Sequence, residues 1–408
     1  MSVQTSTAAS PAACGLSAAM TFVLAAACGL IVANLYYAQP LAGPIAASIG
    51  LPPHLTGLIV TLTQIGYGIG LLLIVPLGDL LENRRLILTM IAATTIALIA
   101  AGASTSALPF LAASLAIGLA STAVQMIVPF AASLAPDAQR GRVVGNVMSG
   151  LMVGIMMARP VASFVASFSS WHVVFFLSAA VMILLGLLLS KRLPRRTPQT
   201  RLSYGGLLAS MVNLYASQPV LRRRALYQAC QFSAFSVFWT VTPLVLAGPA
   251  FGLTQSGIAL FALAGVAGAI ASPVAGRLAD RDLGRPATLF GIASVGIAFL
   301  VTHIAPEGST AALVLLTLAA ILLDFGVTMT LVIGQRAIYG LGADLRSRLN
   351  GLYMATFFCG GAIGSAVGVW AYAQGGWLIA SMIGLALPAV ALAYALTERR
   401  EAAQPDRA

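Results

Sequence analysis

Long, uninterrupted apolar runs constrain the fold of this chain more than any other feature. Apolar residues make up 59% of its 408 residues, and only 8% are charged. A soluble domain carries about 25% charged residues, so this chain has too few to cover itself with a hydrated surface. In hydrocarbon, backbone polar groups are satisfied only in helices or closed barrels. Because the apolar runs are continuous rather than alternating, the sequence predicts an all-α membrane protein.

Twelve of these runs are long enough to cross a bilayer, which takes roughly 20 apolar residues in a helix. We call them spans 1 to 12. They lie near residues 18–43, 55–80, 86–104, 107–133, 143–167, 171–190, 225–248, 255–279, 286–304, 309–335, 349–373 and 376–396.

The basic residues alternate from loop to loop. All but one of the 22 Lys and Arg residues lie in or beside alternate loops or in the C-terminal tail, and the exception is Arg159. By the positive-inside rule, we expect both termini and the central loop of this multi-pass protein in the cytoplasm. The net charge of +11 is therefore a topology signal, and we expect no nucleic-acid partner.

Landmarks recur at a nearly constant offset, which indicates an internal repeat. Arg140 and Arg346 open spans 5 and 11, and Trp171 and Trp377 open spans 6 and 12; both pairs lie 206 residues apart. Two six-helix halves joined by a basic linker are the layout of many secondary transporters, whose sites lie between the repeats. The predicted units are a cytoplasmic tail (1–17), a six-helix bundle (18–190), a linker with an amphipathic helix (191–224), a second bundle (225–397) and a tail (398–408).

Several stretches resemble a known family. GRLADRDLGRP (276–286) resembles the cytoplasmic-loop signature of the major facilitator superfamily, and PLGDLLENRRL (76–86) is a degenerate copy of it. NLYYAQPL (34–41), the run 124–160 and RSRLNGLYMATFFCGGAIGSAVG (346–368) are similar to one branch of bacterial drug:proton antiporter-type efflux carriers. That branch includes sugar and purine nucleoside exporters. The resemblance implies two pseudo-symmetric six-helix bundles and transport by alternating access.

The sequence also departs from that family's pattern. Arg159-Pro160 stands where the antiporter signature of span 5 has Gly-Pro, and Val75 stands where a glycine is usual. Span 4 carries Ser114 near the place of an arginine found in many drug antiporters. These departures leave open whether a proton is coupled by that family's usual route.

The resemblance implies a cytoplasmic gate of loop charges. It places Asp79 near the start of span 11 and Asp280 near the start of span 5, where arginines begin both spans. Closing the cytoplasmic side would form these contacts, and opening it would break them; the alternative is ordinary solvated loop charge. The gate candidates are Asp79, Arg84, Arg85, Arg140, Arg142, Asp280, Arg281, Arg285, Arg346 and Arg348.

Two charges lie deep inside predicted spans. Arg159 is 17 residues past Arg142, roughly 25 Å along a helix, and Asp324 precedes Arg336 by 12, roughly 18 Å. A charge at such depth costs several kcal/mol and usually faces a cavity or a partner. We therefore predict Asp324 as the proton-coupling site, and Arg159 as a substrate anchor, gate element or modulator. The alternative for both is a structural partner within the bundle.

Uncharged polar and aromatic residues are the third group of candidates. An amide in lipid requires a partner, so each should face protein or water. Within NLYYAQP (34–40), we expect Asn34 and Tyr37 on the cavity face and Tyr36 and Gln39 on the far side. Bonds that only pack the helices together are the alternative reading for each. The predicted cavity residues are Asn34, Tyr37, Gln64, Tyr67, Gln125, Gln228, Gln231, Phe235, Trp239, Asn350 and Tyr353.

The sequence contains no phosphate-binding GxxxxGK[ST], no HExxH and no CxxC. We therefore expect no enzyme, no cofactor and no metal site. The predicted function is proton-coupled efflux of small drug-, sugar- or nucleoside-like molecules by a monomer in the lipid bilayer. An uptake symporter of the same fold is the alternative, and a receptor, scaffold or membrane enzyme is the different-class alternative.

Overall fold

The computed structural model describes residues 17–198, 203–281, 283–342 and 345–398. All regular secondary structure in these residues is helical. The first half contains α1 (Ala18–Ala33), α2 (Ala42–Ser48), α3 (Leu58–Leu73), α4 (Asn83–Gly102), α5 (Ala107–Ser121), α6 (Ala123–Leu134), α7 (Asp137–Phe168) and α8 (Trp171–Arg192). The linker contains α9 (Tyr204–Ser217).

The second half is built in the same way. It contains α10 (Pro219–Ala247), α11 (Gln255–Ala262), α12 (Ala271–Asp280), α13 (Gly284–Val301), α14 (Thr310–Tyr339) and α15 (Arg346–Leu396). Short 3₁₀ segments lie at Pro53–Leu55, Val75–Asp79 and Leu263–Ile270.

The described helices account for all twelve predicted spans. Nine are long and apolar enough to cross a membrane, and one of these, α15, holds spans 11 and 12. Spans 1 and 8 correspond to shorter apolar helices, Ala18–Ala33 and Gln255–Val266. Within α15, Gly375 and Gly376 leave helical geometry, and Gly376 has φ 64°, a conformation that favours glycine. The helical membrane fold is confirmed, while the exact unit boundaries stay a prediction, and the tails 1–16 and 399–408 lie outside the described residues.

Span 1 is not the continuous helix that we predicted over 18–43. α1 ends at Ala33, and the following residues form tighter i to i−3 bonds, such as Tyr36 N–H to Ala33 O at 3.0 Å and Gln39 N–H to Tyr36 O at 3.2 Å. Pro40 has no N–H and disfavours helical geometry at the residue before it. The chain therefore narrows into 3₁₀-type turns here, before α2 begins.

Glycine contacts between helices repeat from one half to the other. A Cβ on Gly154 of α7 would collide with the backbone of Gly29 on α1, and one on Gly360 of α15 with the backbone of Ala229 on α10. Gly154 and Gly360 are 206 residues apart, which is the predicted repeat offset. Small residues allow helix backbones to approach closely in membranes, so spans 1 and 5 and spans 7 and 11 pack equivalently.

The two halves meet along two seams. At the first, α3 packs against α15, and Thr61 Oγ1 lies 2.8 Å from Ser365 Oγ. At the second, α7 packs against α11 and the 3₁₀ segment Leu263–Ile270. The second seam places Arg159 of α7 directly against the other half.

Gly154→Ala should lower the thermal unfolding midpoint of the purified protein, because overpacking a tight contact costs about 1–3 kcal/mol. Gly145→Ala is the matched control on the same helix, since a Cβ there would have no atom within 4 Å. Equal midpoints for the two variants would contradict the packing role of Gly154.

Candidate functional site

Arg159 lies buried at the seam between the halves, with 2% of its surface exposed. It stands immediately before Pro160, inside α7. Its Nε donates to Gln39 Oε1 at 2.9 Å, so the 3₁₀ turn of span 1 holds the guanidinium from within the first half. Its Nη2 is buried and has no hydrogen-bond partner in the described part of the chain.

Aromatic rings surround the guanidinium. Its central carbon lies 4.3 Å from the ring centroid of Trp239, 4.9 Å from that of Phe235 and 5.4 Å from that of Tyr36. A cation over an aromatic face gains about 2 kcal/mol or more when it is desolvated. Since Trp239 and Phe235 belong to α10, this stacking joins the two halves.

Asp324 of α14 is the second buried charge, with 7% of its surface exposed. Its Oδ1 accepts a hydrogen bond from Trp239 Nε1 at 2.7 Å. No ion pair shorter than 4.0 Å joins it to Arg159, although both groups are described. Trp239 therefore stands between the two charges, bonded to one and stacked on the other.

Gly265 brings the two charges to the same place. A Cβ on this residue would lie 2.9 Å from Asp324 Oδ2 and 3.3 Å from Arg159 Nη1. Any larger residue would have to displace one of them. The carboxylate and the guanidinium thus approach each other beside Gly265, in the 3₁₀ segment Leu263–Ile270.

Several buried polar atoms of this region have no partner among the described residues. They are Gln39 Nε2, Ser163 Oγ, Gln231 Nε2 and Oε1, and Thr240 Oγ1. Leaving a buried donor or acceptor unpaired costs about 1–3 kcal/mol, so these atoms have bonds to offer. Together with Arg159 Nη2, they give the site donors and acceptors on both halves.

The structure places the two faces of NLYYAQP (34–40) differently from our expectation, and the cavity role of Asn34 and Tyr37 stays a prediction. Tyr36 and Gln39 contact Arg159, whereas Asn34 accepts from Ser178 Oγ at 2.6 Å, within the first half. Tyr37 also lies on the Ser178 side. Both faces of the turn are buried in protein, so polarity alone could not tell which of them meets the other half.

Other predicted cavity residues form hydrogen bonds either across the seam between the halves or within one half. Gln64 Nε2 donates across the seam to Ser236 Oγ at 3.2 Å, and Gln125 Nε2 donates to Tyr67 OH at 3.0 Å within the first half. In the second half, Gln228 Nε2 donates to the Val327 carbonyl at 3.3 Å. Asn350 Oδ1 accepts from Gln335 and Tyr339, and the hydroxyl of Tyr353 is buried without a described partner.

Asp79 lies within electrostatic range of Arg348, at the start of span 11. Asp79 has no ion pair shorter than 4.0 Å with any described arginine. Arg348 donates instead to Ser210 Oγ of α9 at 2.9 Å, and Arg346 to the Tyr339 carbonyl at 3.4 Å. The side chain of Asp280 lies outside the described part.

The other gate candidates contact their own half or face outwards. Arg84 donates to the Ser190 carbonyl, Arg85 pairs with Glu82 at 3.3 Å, and Arg140 donates to the Ala132 carbonyl at 3.2 Å. Arg142 and Arg281 are exposed, and Arg285 lies at the start of α13. The gate stays a prediction.

The sequence matches the family model of the Major Facilitator Superfamily over residues 18–339 and 228–408. The chain belongs to the major facilitator superfamily. YgaY of Escherichia coli K12, described as an uncharacterised transporter, is 39% identical over 337 residues, covering 82% of this chain and 84% of its own length. SCO4007 of Streptomyces coelicolor, also named as a transporter, is 30% identical over 337 residues, covering 81% and 76%.

Solved structures of the superfamily share the fold. A variant of the nucleoside transporter NupG superposes with a TM-score of 0.74 at 15% identity, covering 92% of this chain and 99% of NupG. A bacterial homologue of the lysosomal transporter Spinster, in an inward-facing unoccupied state, gives 0.66 at 14% identity, covering 92% and 93%. At these identities the likeness shows the fold alone. The protein is thus a multi-pass membrane transporter of this superfamily.

Trp239→Phe should keep the ring over Arg159 but remove the donor to Asp324. A buried carboxylate that loses such a bond costs at least about 1–3 kcal/mol, so the thermal unfolding midpoint should fall. Trp377→Phe is the matched control, because that indole also donates one bond, to Thr302 Oγ1 at 3.0 Å, but from a partly exposed position. An equal or larger loss in the control would contradict the role given to Trp239.

Proposed function

We propose that this protein is a proton-coupled secondary transporter that exports small organic molecules from the cytoplasm across the bacterial inner membrane. The observation that carries the proposal is the buried set of Arg159, Trp239 and Asp324 at the seam between the halves. Alternating access requires the two halves to separate on one side at a time. A charged set that spans this seam is in the right place to respond to substrate and proton together.

The charge balance of the site suggests how the coupling works. With Asp324 ionised, Arg159 and Asp324 together carry no net charge, and the seam can close around them. A neutral substrate can accept from Arg159 Nη2 and donate a hydroxyl or amine to the carboxylate of Asp324. Protonation of Asp324 removes that acceptor, so proton and neutral substrate compete for the site. Competition of this kind is the basis of antiport.

The ring surfaces suggest the kind of substrate. Phe235 and Trp239 offer aromatic faces, and Gln231 and Thr240 of the same helix offer polar atoms without a partner among the described residues. Such a site suits a flat or polyol-like molecule with several hydroxyl or amide groups, as in sugars, nucleosides and many drugs. The resemblance to exporters of these molecules supports the same class.

An uptake symporter is the second candidate, and the same charge balance favours it for one kind of substrate. When Asp324 is protonated, Arg159 is left without a counter-charge in a buried site, which is costly. An anionic substrate would restore neutrality, so a proton and an anion would enter together. The charge of the substrate therefore separates the two candidates.

Transport into inverted membrane vesicles with an imposed pH gradient tests the proposal. The panel should contain neutral nucleosides and sugars, cationic drugs and small carboxylates. Uptake of a neutral compound only when the vesicle interior is acidic supports antiport. Uptake of a carboxylate only when the exterior is acidic supports symport, and transport of some compound at a rate insensitive to the gradient would contradict proton coupling.

Asp324→Asn should abolish accumulation driven by the pH gradient but preserve exchange of labelled for unlabelled substrate, because the alternating cycle remains while the proton site is lost. Glu307→Gln is the matched control, since Glu307 is an exposed loop carboxylate. Gradient-driven accumulation by the Asn variant at the rate of the parent protein would exclude Asp324 as the proton site.

A further inference from the structure

We propose that the second half holds a binding site for a phosphate group, presented by the headgroup of an anionic phospholipid. The site is a cavity of about 1260 Å³ on the face of the membrane that bears the basic loops. The starts of α10 and α13, the end of α14 and the end of α15 form its walls. We call it the basic cavity; its charged lining residues among those described are Arg223, Arg224, Arg285 and Glu398.

Among the described lining residues of the basic cavity, the charges do not balance. Arg224 Nη2 pairs with Glu398 Oε1 at 2.8 Å, which compensates one guanidinium. Arg223 donates to the Tyr394 carbonyl at 3.1 Å and to Thr397 Oγ1 at 3.2 Å, both uncharged. The described lining therefore keeps two positive charges without a carboxylate, and an anion would neutralise them.

Arg285 is the residue that points to a ligand. Its Nε is buried and has no hydrogen-bond partner among the described residues. A buried charged donor without an acceptor is costly, and guanidinium groups bind phosphate oxygens through parallel N–H bonds. A phosphate in the basic cavity, which Arg285 lines, would supply acceptors for this guanidinium group.

Two helix starts add to the positive potential. α10 begins at Pro219 and α13 at Gly284, and Pro219, Val220 and Pro286 line the basic cavity. The N-terminal end of a helix carries a partial positive charge that favours anions. These two helices are 29 and 18 residues long, which is enough for the effect. The helix ends thus add to the attraction that the arginines exert on an anion.

The rest of the lining favours a lipid over free phosphate. Leu283, Leu289 and Leu341 give the basic cavity apolar walls, which inorganic phosphate would not use. Beyond the cavity, Phe290 and Ile297 of α13 are exposed on the membrane surface, by 56% and 49%. An acyl chain can run along this face while the phosphate sits among the arginines, and basic pockets between membrane helices on the cytoplasmic side are known to take anionic headgroups.

Lipid binding to the purified full-length protein tests this site. We would titrate delipidated protein with phosphatidylglycerol, phosphatidylcholine and inorganic phosphate, and follow retained lipid by native mass spectrometry and the thermal unfolding midpoint. Phosphatidylglycerol should bind more tightly than phosphatidylcholine, and less tightly as salt rises. Arg285→Gln should weaken phosphatidylglycerol binding about fivefold, and Arg285→Lys, which keeps the charge, should recover part of the loss.

Arg85→Gln is the matched control, because it removes one arginine from the first turn of α4, at a basic end of the other half; its side chain is 80% exposed. It should bind phosphatidylglycerol as the parent protein does. Displacement of the lipid by millimolar inorganic phosphate would keep the phosphate site but make free phosphate its occupant. Equal affinity for phosphatidylglycerol and phosphatidylcholine in the parent protein, or equal losses in Arg85→Gln and Arg285→Gln, would overturn the proposal. The lipid comparison in the parent protein decides the case even if Arg285→Gln does not fold.

Discussion

The structure depends on burying one arginine between two bundles of helices. Arg159 has no carboxylate within ion-pair distance among the described residues, and its charge is spread over aromatic faces and the amide oxygen of Gln39. Aromatic rings stabilise a cation without fixing it in one geometry. Parting a direct buried ion pair would leave each charge uncompensated, and removing one partner of such a pair costs about 3–5 kcal/mol. Two halves that must part and rejoin are better served by the looser contact.

Trp239 links the two buried charges to each other. Its indole N–H belongs to Asp324 and its ring to Arg159, so a change at the carboxylate reaches the guanidinium through one rigid side chain. Trp239 and Asp324 belong to the second half, whereas Arg159 and Gln39 belong to the first. The state of one carboxylate can therefore bias how strongly the halves adhere.

Composition and charge predicted the twelve spans, the repeat and the two buried charges. Each of these features can be seen in the sequence, as an apolar run, a recurring residue or a charge within an apolar run. Asp324 and Arg159 stood out as ions within apolar runs. Gln39 and Tyr36 did not, because both faces of their turn are polar and both are buried in protein. Gly265 was missed for another reason: with 40 glycines in the chain, nothing local marks the one that admits two charged groups. Gate contacts depend on the state of the cycle, which a sequence does not specify.

The bond between Arg224 and Glu398, with those of Arg223 to Tyr394 and Thr397, ties the last turn of α15 to the first turns of α10. The first and last helices of the second half are thus bonded to each other at one end of the bundle. The linker helix α9 leads directly into α10, so these bonds connect it to the last span of the half as well as to the first.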